Sequence, residues 1–225
     1  MTTYINLCKL LRQEVGASGS DTTTVSATGE WKRLCDWVAQ AWNEIQMAQP
    51  GWLWLRASKT FNTIAEQGEY AYASAPVSLT NFASWRNGSF RLYKDSTDDE
   101  QFLSQWNYND FRDEYLYGSS RTTYSRPTEI TISPTNSLIL GSPPDDIYTV
   151  VAEYYKAPTT LSADADEPAM PARFHTLIVY RAMMYYGMYE SAQEVIARAD
   201  RQYISMYDQL MMDQLEPVTA DRRFL

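Results

Sequence analysis

The residues most able to do chemistry in this chain are few and poorly partnered. Its single histidine, His175, stands beside Phe174 early in a helical pattern. Imidazole is the side chain most often used as a general base, yet no carboxylate or nucleophile is spaced to work with this one. Asp164, Asp166 and Glu167 imitate the opening of a calcium loop. An EF-hand loop needs glycine at its sixth position and a bidentate glutamate at its twelfth. Ala169 and His175 occupy those positions, so the match fails. The acids are expected instead near the start of the following helix, where its dipole favours them. Asp98, Asp99 and Glu100 read as a solvated loop. Asn87–Gly88–Ser89 has glycosylation spacing but reads as a tight turn before a strand. No nucleophile elbow, phosphate loop or zinc motif is present. We therefore assign no catalytic, cofactor-binding or metal-binding residue and expect a binding or structural role.

Bulk properties narrow the class. A chain of 225 residues is long enough for one well-cored domain or a domain with a sizeable insertion. The 28 acidic residues outnumber the 19 Lys and Arg, giving a net charge of −9. Nucleic-acid readers need a basic patch to neutralise phosphates, and no such cluster occurs. The acidic balance is compatible with a surface past which DNA slides, because repulsion prevents sticking. The 17 Tyr and 7 Trp suit both strands and half-wet interfaces. Cys8 and Cys35 fall on apolar helix faces, where a thiol acts as a small hydrophobe. The opening Met1–Leu11 is amphipathic and is not expected to be a signal peptide. No apolar run is long enough to cross a bilayer, so a protein made and used in a cytosol, without a membrane, is expected.

These groups must be positioned by helices at both ends and strands between them. Tyr4, Leu7, Cys8, Leu11 and Val15 recur at helical spacing, and Gly16 stops that helix. Residues 16–28 are small and polar, hence a loop. Trp31, Leu34, Cys35, Val38, Trp42 and Ile45 form the stripe of a second helix, which Pro50–Gly51 ends. From Trp52 to Tyr155 the apolar spacing is mostly two, the strand period. Strands are expected in WLWLRASKTFNTI, GEYAYASA, GSFRLYK, TEITI, SLILG and IYTVVAEYYKA, with a short helix within Phe102–Tyr115. After the acidic connector come two more helices. The first carries Phe174, Leu177, Ile178, Met184, Tyr185 and Met188, with Gly187 near its end. The second carries Ala192, Val195, Ile196, Ala199, Tyr203, Met206 and Leu210. Each helix pair has an apolar face to cover, so the economical fold is α+β. In it the N- and C-terminal helix pairs form one bundle with an antiparallel β region inserted. The expected divisions are 1–51, 52–157 and 158–215, followed by an aperiodic tail, 216–225. Leu7, Leu11, Leu34, Val38, Trp42, Ile45, Phe174, Leu177, Ile178, Val195, Ile196 and Tyr203 are the expected bundle core.

Two stretches go further. The stretch from TTYINLCKLLRQEVG through TTTVSATGEWKRLCDWVAQAWNEIQMAQPGWLWLR, and the stretch SLILGSPPDDIYTVVAEYYKAPTTLSADADEPAMPARFHTLIVYRAMMYYGMYE, resemble the opening and the strand-to-helix junction of head–tail adaptor proteins of tailed bacteriophages. They cover a little under half the chain, at its two ends. The resemblance implies a homo-oligomeric ring, usually twelve-fold, in the virion neck beneath the portal protein ring. Such a ring extends the DNA channel and offers a platform to a tail or nozzle protein. The bundle would build the ring and the β insertion would face the tail. The C-terminal tail would reach the portal, with Pro217, Arg222, Arg223, Phe224 and Leu225 as the binding segment, which orders on its partner. Read without the resemblance, that segment is only a terminus. A tail-tube or stopper subunit is the alternative within the same class, and a carboxylate-based hydrolase the alternative outside it. If Trp42 is core, Trp42→Ala should cost about 3–5 kcal/mol of folding stability in denaturant titration; a loss below about 1 kcal/mol would put that stripe at the surface.

Overall fold

A computed structural model of the chain describes residues 2–18 and 23–216. Contacts divide it into two compact units. One is residues 1–55 with 158–225; the other is residues 56–157.

The first unit is a bundle of α1 (Tyr4–Val15), α2 (Gly29–Ala48), α4 (Thr176–Tyr189) and α5 (Gln193–Gln214). α1 buries Tyr4, Leu7, Cys8 and Leu11. It ends at Gly16, whose φ of 68° is the left-handed conformation a helix C-cap requires. α2 buries the stripe from Trp31 to Ile45, with Trp42 fully enclosed. α4 is apolar around most of its circumference, and Leu177, Ile178, Val179, Ala182, Met183, Met184 and Gly187 are all buried. A helix with that pattern must be covered on several sides, and α4 packs against α1, α2 and α5. Phe174 is buried in a short 3-10 turn just before it.

Three sequence expectations need correction here. Val195, Ile196 and Tyr203 are only half-buried, because α5 packs chiefly on α4 and lies at the margin of the bundle. Its fully buried residues are Ala199 and Leu210. Met188, placed in the apolar stripe of α4, is 62% exposed. Trp52–Leu55 is not strand. Leu53–Leu55 is a 3-10 turn, the Trp52 indole N–H donates to the carbonyl of Ile45 at 2.9 Å, and its ring stacks on Trp54 at 4.4 Å. Trp52 thereby satisfies a carbonyl near the end of α2 and is held to the bundle, so the alternation of WLWL is a coincidence of capping.

The second unit has two sheets. The five-stranded sheet runs β1 (Arg56–Asn62), β9 (Thr149–Tyr155), β4 (Arg91–Tyr93) and β5 (Gln101–Phe102), with β3 (Ser84–Trp85) also paired to β9. The four-stranded sheet runs β2 (Glu69–Tyr70), β8 (Leu138–Gly141), β7 (Glu129–Ile132) and β6 (Ser104–Gln105). The pairings are antiparallel except for β6 with β7, which is parallel. Phe61, Tyr70, Phe90, Leu92, Ile130, Leu138, Leu140 and Val150 belong to one core. In GEYAYASA only Glu69 and Tyr70 pair. The chain then turns, and Tyr72 stacks on Phe82 at 4.5 Å, so its alternating aromatics cap the core from a loop. α3 (Tyr108–Tyr115) starts at Asn107, whose side chain accepts from the backbone N–H of Asn109. The N-G-S segment is the expected turn: Gly88 has φ 69° and donates to the Gln105 side chain.

Gly187 carries a specific load. A Cβ added there would lie 2.5 Å from Cγ1 of Ile196 and 3.2 Å from the carbonyl of Ala192. The absent side chain lets α4 and the start of α5 approach closely. Gly187→Ala gains about 1 kcal/mol of helix propensity but forces overpacking worth about 1–3 kcal/mol. A net loss of about 1–2 kcal/mol is expected in urea titration, and a more stable variant would show that the contact relaxes freely.

Candidate assembly surfaces

The groups capable of chemistry are used for structure. His175 is 3% exposed and its Nε2 lies 3.0 Å from the carbonyl of Met170. That bond requires a proton on Nε2, and Nδ1 has no protein partner among the described residues. Cys8 and Cys35 are free and buried; burial, then the neighbouring Cys35, pushes the Cys8 thiol up, out of the reactive range. The acids of the connector are not at the start of α4, as expected from sequence. Their backbone carbonyls accept from the first turn of α1: Tyr4 N–H to Asp166 at 2.7 Å and Ile5 N–H to Asp164 at 3.3 Å. The Asp164 carboxylate accepts from the backbone and hydroxyl of Thr24, which hold it below its usual range. The Asp166 carboxylate accepts from the backbone of Ala163 and Ser162 and is lowered likewise. The connector thus caps one helix while ordering itself. Nη1 of Arg126 donates to both carboxylate oxygens of Asp99, at 2.7 and 2.8 Å, which lowers its carboxyl. Among the described residues no group of His, Cys, Asp and Glu is arranged to hold a metal ion, and no helix is long and apolar enough to cross a membrane.

One polar cluster joins three helices of the bundle. Arg181 of α4 donates from Nε to Glu44 of α2 at 2.8 Å and lies over the rings of Tyr185 and Tyr203, at 5.2 and 5.9 Å. Burial alone would raise the Glu44 carboxyl. The nearby Tyr185 phenol and the Arg181 guanidinium, which donates to it, outweigh burial and hold the group below its ordinary value. Burial, then the Glu44 carboxylate, pushes the Tyr185 phenol up to about 12. Tyr203 is also raised to about 12, mainly by burial. This is where the half-buried Tyr203 belongs: its ring faces a charge rather than the hydrocarbon core. The pairing of Glu44 with Arg181, 137 residues apart, has no local sequence signal.

Apolar side chains of the bundle unit are exposed at Val25, Met47 and Leu53 and in two further groups. At the end of α4, Met188 and Tyr189 are exposed, with Trp37 against Tyr186 and Tyr189, and Arg33 over the Tyr189 ring at 4.5 Å. On the outer side of α5, Ile204 and the 85% exposed Met212 stand in line with Arg201 and Asp208. The interval of eight residues between Ile204 and Met212 marks this outer face in the sequence. The β unit exposes Phe102, Trp106, Tyr117 and Tyr124. Of the residues singled out from sequence, Leu7, Leu11, Leu34, Val38, Trp42, Ile45, Phe174, Leu177 and Ile178 are buried together in the bundle unit. Pro217, Arg222, Arg223, Phe224 and Leu225 lie outside the described residues.

An interior given to packing, with methionine and aromatic side chains turned outward, belongs to the class of proteins that act by contact with other proteins. The sequence matches the SU10 adaptor protein family over residues 2–224, and the chain belongs to that family. It is a phage adaptor protein, a structural component of the virion. No curated protein matches the chain.

The Glu44–Arg181 pair gives a pH-dependent expectation. A carboxyl depressed in the folded state contributes stability above its unfolded pKa of about 4.3, and that contribution is lost as pH falls through the lower folded value. Because both side chains are partly exposed, the coupling is about 0.5–1 kcal/mol. A double-mutant cycle with Glu44→Gln and Arg181→Gln should show it at pH 7 and a smaller coupling at about pH 3. A coupling unchanged between those pH values would mean that the pair does not titrate with folding.

Proposed function

We propose that this adaptor assembles as a homo-oligomeric, twelve-fold ring beneath the portal ring in the virion neck. The ring extends the DNA channel and presents a platform to a tail or nozzle protein. The observation that carries this reading is the pair of separate apolar faces on a bundle whose core is already closed. A head-to-tail ring joins one face of each subunit to a different face of the next. The Met188–Tyr189 corner and the Ile204–Met212 stripe are two such faces. The net charge of −9 suits a channel wall that DNA passes without binding to a particular sequence. The aromatic surface of the β unit supplies the tail-side contact, and the segment containing Pro217, Arg222, Arg223, Phe224 and Leu225 anchors on the portal. The protein is made in the host cytoplasm and carries neither cofactor nor catalytic residue.

Electron microscopy of the purified chain mixed with portal rings from the same genome tests this. A new layer on the tail-facing side of the portal is expected. Deleting residues 217–225 should leave the circular dichroism spectrum and melting temperature unchanged while the layer disappears. Attachment that survives the deletion would remove the tail from the mechanism, and no layer with the full chain would remove the ring.

A further inference from the structure

The β unit has a cleft of about 480 Å³ bounded by α3, by the edge formed where β2 meets β8, and by the hairpin joining β7 to β8. That volume lies within the range of ligand pockets. One wall is aromatic. Tyr108 and Tyr115, seven residues apart, lie on one face of α3, and Trp106 meets Tyr115 edge-on at 6.0 Å. The wall is fixed in place, since a Cβ on Gly141 would lie 2.9 Å from Glu129, 3.2 Å from Phe111 and 3.3 Å from Tyr115. Helix α3 therefore rests directly on the backbone of β8. Ile139, Leu140 and Pro143 add apolar surface to the lining.

The mouth is preformed. Glu66 and Ser142, both in the lining, have φ of 68° and 60°. A non-glycine residue held there costs about 1 kcal/mol or more. Hydrogen bonds from Glu66 N–H to Pro144 and from Leu140 N–H to Gly68 hold the two segments together.

The polar groups of the lining sort by whether they are already engaged. Ser133 Oγ accepts from the N–H of Ser137 and pairs with the Thr135 hydroxyl at 2.8 Å, so these hydroxyls serve the hairpin. Glu66 and Glu69 are exposed, and their carboxylates have no ion pair among the described residues. Arg121 is the basic residue of the lining. Glu129 and Glu114 add negative field: after burial, they are what raises the Tyr115 phenol. The cleft offers a ligand two aromatic faces, two unpaired carboxylates and one basic residue, Arg121, with the Ser133 and Thr135 hydroxyls committed to the hairpin. The carboxylates of Glu66 and Glu69, with Glu129 and Glu114 close to Tyr115, outnumber Arg121, so the local field favours a cation. A guanidinium matches both remaining features, since it stacks on aromatic rings and pairs with carboxylates.

We propose that this cleft binds an extended, arginine-bearing peptide segment of a protein partner, the guanidinium pairing with Glu66 and Glu69 and stacking on Tyr108 and Tyr115. This stands on the residues of the β unit alone and is independent of ring formation.

The probes are acetyl-Gly-Pro-Arg-Pro-Gly-amide, the same peptide with Glu in place of Arg, and cellotetraose, each titrated into the full chain and followed by the ring resonances of Tyr108 and Tyr115. The arginine peptide is expected to shift both rings and the glutamate peptide neither. Glu66→Gln with Glu69→Gln should weaken the arginine peptide by about five-fold or more, the loss of one or two exposed charge pairs, without moving the melting temperature, because neither carboxylate is paired in the fold. Tyr108→Phe should retain binding and Tyr108→Ala should lose it. Equal shifts with the two peptides, no shift with either, or binding by cellotetraose instead would overturn the proposal.

Discussion

The bundle depends on one helix that cannot be left uncovered. α4 is apolar around most of its circumference, and such a helix folds only if neighbours enclose it. α5, which follows it directly, covers one side; the rest must come from elsewhere in the chain. α1 and α2 supply it from the other end of the sequence. The first 55 residues and the residues after 157 are therefore one folding unit, and whatever lies between them has to be an insertion. The architecture follows from this more than from any local propensity.

An insertion is tolerable only if the chain leaves and returns at neighbouring points, and each unit arranges this within itself. In the bundle, the Gln46 side chain makes two hydrogen bonds to the backbone of Thr159, each 2.9 Å, tying the end of α2 to the returning connector. The carbonyls of Asp164 and Asp166 then cap α1. In the β unit, the first and last strands pair with each other, Arg56 opposite Tyr155 and Asn62 opposite Thr149. Each unit closes its own opening with hydrogen bonds, so its backbone polar groups are satisfied where the chain passes through.

These relations decide what could be read from the sequence. The helices were legible because their periodicity is sustained, and Gly16 marks an end by its backbone conformation. β9 and β7 were legible because TVVAEYY and EITI are short runs rich in β-branched and aromatic residues. The two-residue strands β3, β5 and β6 were not, since two residues carry no period. Trp52–Leu55 misled because alternation cannot distinguish a strand from a tryptophan that caps a helix. Tyr203 misled differently: its spacing is that of a core residue, but the neighbour it meets is Arg181, and nothing in the local sequence announces a cation there. The acids at 164–166 were recognised as structural, yet the helix they serve is 160 residues away in sequence rather than adjacent. The misses at Tyr203 and at 164–166 involve partners distant along the chain, whereas those at Trp52 and the two-residue strands are local patterns too short or too ambiguous to read. Each success involves neighbours within one turn or one strand.

The same distinction applies to the candidate surfaces. Exposed apolar side chains cannot be told from buried ones by periodicity when a helix has two apolar stripes. α5 has an inner one through Ala199 and Leu210 and an outer one through Ile204 and Met212. Only the packing of α4 decides which stripe is covered. Once that is settled, the outer stripe is apolar surface that the subunit does not need for its own stability. Retaining it has a cost in solubility, which contact with another protein removes. A subunit whose core is complete and whose surface keeps exposed apolar side chains is what physical reasoning expects of a protein that acts by contact with others.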